Sequence, residues 1–148
     1  MTAGYMLDLF VINQVRKEQM ATNLDSDVRF DLTKQDGHLL KEIGKILTEV
    51  AAGDRPGFFA KHKQYDKEVR ENHKDNLIEV LYELYQRHKE LWALEDLRRD
   101  KSNNDETRLD ACDKVSVTNK KRNDLVENID FIINNRLKQT KIWGNLSE

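Results

Sequence analysis

The chain predicts an all-α protein, an antiparallel bundle of about four principal helices with a long C-terminal helical hairpin. Three observations predict it. Apolar residues recur at three- and four-residue steps, no run alternates as a strand would, and the single proline lies in one sharp break, Gly53-Asp-Arg-Pro-Gly57. With 148 residues, 38% hydrophobic and 35% charged, the chain fits one all-helical domain over 1–148 whose core is a set of narrow stripes. Self-association would help to bury those stripes, so a homo-oligomer, most simply a homodimer, is expected.

The first helix spans about 4 to 22, where Tyr5, Leu9, Ile12 and Arg16 share a face widened by Met6, Phe10 and Val11. Residues 23 to 30 read as a polar connector. Thr33 with Asp36 offers an N-cap for a second helix over about 33 to 52, carried by Leu39, Leu40, Ile43, Ile46, Leu47 and Val50. Gly53 and the proline beyond it stop that helix. The stretch from 58 to 74 forms a weaker extra segment with only Tyr65 and Val69 to bury. Asn76, followed three residues later by Glu79, makes a capping-box-like start for the third major helix, about 76 to 100. The polar turn Ser102-Asn-Asn-Asp-Glu-Thr107 then leads into a last helix reaching Leu137 or slightly beyond. A connection this short makes the last two helices an antiparallel hairpin, about 76 to 140.

Composition excludes several classes. A net charge of −2 from interleaved acids and bases gives no domain-wide positive field for nucleic acid, and Lys120-Lys121-Arg122 is too short to create one. The amino terminus lacks a basic leader and Asp8 interrupts its apolar run, so no signal peptide or membrane span is expected. Cys112, the single cysteine, can form no internal disulfide and suits a cytoplasmic setting. His38, His62 and His73 follow no metal-ligand spacing, and no glycine-rich phosphate loop occurs.

The chemistry is concentrated on the hairpin. The third helix reads Leu77, Leu81, Leu84, His88, Leu91, Glu95, Arg98 along its seam, and the last reads Leu109, Cys112, Ser116, Asn119, Asn123, Val126, Asp130, Ile133, Leu137. Val115, Leu125, Ile129 and Ile132 form the adjoining stripe. Both seams turn polar at their overlap, where inward polar groups require partners and make either a lock or a site. Candidate ligand-binding residues are His88, Trp92, Glu95, Asp96, Arg98, Asn119, Arg122, Asn123, Asp124, Glu127 and Asp130. Glu95, Glu127 and Asp130 are the carboxylates for a hard divalent cation. Trp92 either fills the core or stacks on a ligand, and Trp143 lies in the tail beyond the last clear helix.

The run Leu91-Trp-Ala-Leu-Glu-Asp-Leu-Arg-Arg-Asp100, followed by Asn119, Arg122, Asp124, Val126, Glu127 and Ile129-Asp130, resembles an uncharacterised bacterial domain-of-unknown-function family. That family carries a Trp-x-x-Glu-Asp-x-x-Arg helix followed by an Ile-Asp-x-x-Asn-Gln-x-Arg-x-Asp-x-Val-Glu-x-Ile-Asp helix. The chain departs from it at Lys120, where glutamine is expected, and at Val115-Ser116. The resemblance implies that the matched polar residues form one interacting set, and implies no activity.

Two functional expectations follow, beside the reading of a purely structural bundle whose polar seam only sets register. The first is a non-enzymatic protein without a cofactor that binds a small anionic ligand, at Arg98 and Arg122, or a protein partner. The alternative is an Mg- or Mn-dependent hydrolase of nucleotides or other phosphorylated small molecules. It takes the metal triad as ligands; Glu68-x-x-Glu71 and Glu127-x-x-Asp130 have the letters used by all-helical nucleotide pyrophosphohydrolases, but their separation is too long for that family's order and the first pair lies in the weakest helical stretch.

Overall fold

In the computed structural model the described residues are 2–20, 26–53 and 74–146, with side chains described as far as 136. Among the described residues four helices make an all-α bundle: α1 (Ala3–Gln19), α2 (Ser26–Ala52), α3 (Leu77–Arg99) and α4 (Asp105–Leu146). The expectations for Tyr65, Val69, Glu68, Glu71, His62 and His73 lie outside the described residues, as does the side chain of Trp143. The α4 backbone nevertheless continues through that position, so the last helix is longer than expected.

Caps fix most boundaries. The Thr2 hydroxyl accepts from the Tyr5 N–H at 3.2 Å and starts α1. Asn76 accepts from the Ile78 and Glu79 N–H groups at 3.0 and 3.3 Å, as the sequence suggests for α3. Asp100 accepts from both the Ser102 backbone N–H and its hydroxyl, which holds the Asp100 carboxyl below its usual range. Asn104 then accepts from the Thr107 N–H at 2.8 Å and opens α4. At the end of α2, Gly53 adopts φ 80°, and its N–H returns to the Val50 carbonyl at 3.1 Å. The start of α2 also departs from expectation. The helix begins at Ser26 rather than near Thr33, and its first turns, with Val28 and Phe30 largely exposed, carry little apolar periodicity to betray them.

α3 and α4 form the most extensive pairing, and α1 touches all three other helices. Their antiparallel register is set by Thr118 donating to Glu90 at 3.3 Å and by Arg108 Nε donating to the Arg98 carbonyl at 3.0 Å. Val80, Leu84, Ile129 and Ile132 lie at the centre of the core, joined by Ala3, Met6 and Val11 from α1 and by Ile43 and Ile46 from α2.

The inward line of α1 and of the first half of α4 is rotated by about one residue, roughly 100°, from the sequence reading, while Asp130 and Ile133 of the expected α4 seam are buried. On α1 the inward line is Gly4, Asp8, Val11 and Val15, while Tyr5 and Arg16 are exposed. On α4 it is Ala111, Val115, Thr118, Arg122, Leu125 and Ile129, whereas Leu109 is 66% exposed and Ser116 and Asn123 face outward. Small and polar inward residues are the reason, because Gly4, Asp8, Ala111 and Thr118 give no hydrophobic signal to set the phase.

Gly4 is where α1 meets α4. A Cβ there would stand 2.7 Å from the Val126 carbonyl oxygen and 2.8 Å from Asp130 Oδ1. Gly4→Ala is therefore expected to destabilise the fold by about 1–3 kcal/mol, although alanine gains up to about 1 kcal/mol of helix propensity. Urea denaturation checks this. A variant as stable as the parent would show that the two backbones are free to separate.

Candidate functional site

The site begins with a carboxylate on the inward line of α1. Asp8 is 2% exposed and approaches His88 Nε2 of α3 at 2.6 Å. The imidazole is itself buried. Arg122 reaches the same carboxylate from α4, with Nε 4.0 Å from Asp8 Oδ1. That separation is too long for a hydrogen bond, so Arg122 Nε is buried without an acceptor among the described residues. Such a donor costs about 1–3 kcal/mol, more when charged, and the guanidinium has no neutral form to retreat to. The rest of the side chain is 29% exposed, and an Arg122 terminal nitrogen donates to Asn123 Oδ1 at 3.1 Å.

Above this cluster lies a groove of about 400 Å³, walled by Ile12, Val15 and Arg16 of α1, by His88, Leu91, Trp92, Glu95, Asp96 and Arg99 of α3, and by Arg122 of α4. One face of α3 supplies His88, Trp92, Glu95 and Arg99, since steps of four, three and four residues return to the same side of a helix. Trp92 is half-buried there, a wall of the groove rather than a sealed core residue. Glu95 accepts two bonds from Arg98, at 3.0 and 2.6 Å, and lies 3.4 Å from Arg99. The Glu95 carboxylate raises the Arg98 pKa in return.

Five of the sequence-predicted residues thus share one groove: His88, Trp92, Glu95, Asp96 and Arg122. The others do not. Arg98 turns instead to a hollow at the α3–α4 turn with Arg108 and Cys112. Asn119 is half-buried on α4, Asn123 is exposed, and Asp124 pairs with Lys120 at 3.1 Å along the helix. Asp130, with Glu127 beside it, sits at the foot of α1, where it accepts from the Gly4 N–H at 2.7 Å. Burial pushes the Asp130 carboxyl up to about 6. The Thr2 and Gly4 donations oppose the shift, and the Glu127 charge adds to it.

The expected metal triad is not assembled. The hairpin register pairs Glu95 with residues near 112 of α4, so Glu127 and Asp130 lie roughly 22–27 Å further along the bundle. Among the described residues no group of three His, Cys, Asp or Glu side chains could hold a metal ion. Sequence reasoning also missed Asp8, Arg16 and Arg99. The available signal for Asp8 was its place on the line Gly4, Asp8, Val11, Val15 at helical spacing.

A second polar cluster staples α1 to α2. Asp36 accepts from Asn13 at 3.1 Å, from Gln14 at 3.0 Å and from Lys17. Burial alone would raise its pKa, but these donors together outweigh burial and lower it. Because every group there has a partner, the cluster reads as structural. Residues Asp31, Lys34 and His38 line a separate, solvent-open hollow between α1 and α2.

Residues 78–146 match the family model described as a protein of unknown function, DUF4254. The match takes in the α3 and α4 walls of the groove and leaves α1 outside. No curated protein and no solved structure matches the chain. Among the described residues no helix is long and apolar enough to cross a membrane.

Proposed function

We propose that this hairpin of unknown-function type, completed by α1, acts by binding a small anionic ligand in the groove between α1, α3 and α4. Arg122 is the anchor and Trp92 the platform. The observation that carries the reading is the buried Arg122 Nε, which lacks an acceptor among the described residues while the carboxylate beside it, Asp8, is already engaged by His88. An anion entering the groove gives the guanidinium the charge-assisted bonds that the fold withholds. Trp92 offers a broad face to the uncharged part of the ligand. Arg98, an anchor on the sequence reading, gives way to Arg122 because Glu95 already holds it.

Self-association belongs to the same reading, supported by Phe30, Ile78, Tyr82, Leu109 and Val117, each more than half exposed. A cytoplasmic setting is supported by the free thiol of Cys112.

A thermal-shift panel of inorganic phosphate, nucleotides, sugar phosphates and dicarboxylates tests the proposal. A ligand at a hundred times its Kd should add about 2.7 kcal/mol of stability to the parent and none to Arg122→Gln. Shifts of equal size in parent and variant would move the site elsewhere. Mg and Mn arms test the hydrolase alternative, which requires a shift with metal that Glu127→Gln removes.

A further inference from the structure

The groove does not close at Glu95. Arg99, 74% exposed, lines both the groove and the hollow of about 580 Å³ at the α3–α4 turn, so the two volumes adjoin. In that hollow Arg108 is oriented by its Nε donation to the Arg98 carbonyl. Its Nη1 stands 3.9 Å from Asp105, which is 95% exposed, and its charge helps to lower the Asp100 pKa. Positive charge therefore stands at both ends, and at Arg16 on the α1 wall. Arg122 lies level with His88, since both meet Asp8, and Arg99 lies eleven residues further along α3, roughly 16 Å away at ~1.5 Å per residue. Between them the walls are Ile12, Val15, Leu91 and Trp92, with the Asp96 carboxylate at the rim.

We propose that the ligand is an elongated dianion, with two phosphate- or carboxylate-like groups separated by roughly 15 Å of uncharged, partly apolar chain. The inference rests on the anion-binding reading above and extends it. One anionic group meets Arg122, the spacer lies along Trp92 and Leu91, and the second group meets Arg99 and Arg108.

Isothermal titration of the intact chain with alkane-α,ω-bisphosphonates, from the butane to the tetradecane member, tests this against alkyl monophosphonates of matching length. The long bisphosphonates are expected to bind at least tenfold more tightly than their monophosphonate partners, while the short ones show no advantage. In Arg108→Gln and in Arg99→Gln the advantage should shrink to about onefold, and in Arg122→Gln both probe classes should weaken. Monophosphonates that bind through Arg122, with bisphosphonates no tighter at any length, would overturn the dianion proposal and leave the single-anion reading standing. Failure of every member, monophosphonates included, overturns both.

Discussion

Asp8→Ala is expected to cost about 3–5 kcal/mol of folding stability, since it strands His88 and Arg122 in the interior without their shared carboxylate. The magnitude comes from the asymmetry between making and breaking a buried polar pair. Forming one returns little beyond what desolvation takes, whereas removing one partner leaves the other uncompensated. A double-mutant cycle separates this from lost packing. His88→Leu alone should also destabilise, and the Asp8→Leu/His88→Leu protein should lose clearly less than the sum of the two single losses. Chemical denaturation of the four proteins measures it. Additive losses would mean that the 2.6 Å contact contributes no coupling and that each residue matters only by its volume.

Asp130 should impose a pH dependence of the opposite sense to that of most carboxylates. Its pKa, raised by burial to about 6, exceeds the value of about 3.9 in an unfolded chain. Between those pH values the folded state keeps a proton that the unfolded state has released. Stability from this group is thus present below pH ~4, declines through the window, and is gone above pH ~6, a total of about 2–3 kcal/mol. Asn keeps an oxygen for the Gly4 N–H and removes the charge. Asp130→Asn is therefore expected to match the parent near pH 4 and to exceed it by about that amount at pH 7. Asp36, whose pKa is lowered, contributes in the other direction, so the difference between variant and parent is the quantity to follow. A difference that stays constant from pH 4 to pH 7 would show that Asp130 titrates as an ordinary exposed acid.

Much of the fold was legible because the residues that end helices act locally. Asn76 starts α3 through its own side chain, and Gly53 ends α2 through a backbone conformation that few other residues accept. The rotation of α1 and α4 was not legible, because phase is set by tertiary contact. Thr118 faces inward by reaching Glu90, and Gly4 does so by admitting the Val126 backbone. A shift of one residue exchanges Arg122 for Asn123 at the inward position and so decides which side chain anchors the site. The overlap of the polar stretches around His88 and Arg122 was read correctly. Their shared partner was not, since a lone aspartate in an apolar run carries no mark of an imidazole 80 positions away.

The placement of Asp8 also bears on where the working unit ends. Similarity draws its boundary at residue 78, whereas the ionic balance of the interior draws one that includes residue 8. The matched hairpin by itself carries an imidazole and a guanidinium facing a carboxylate it does not own, and its Ile129 would lose the cover of Ala3 and Met6. It is a receptor for α1 as much as a module in its own right. Another chain that shares only the hairpin must bring an acid to that spot from some other segment, or place an apolar residue where Arg122 stands.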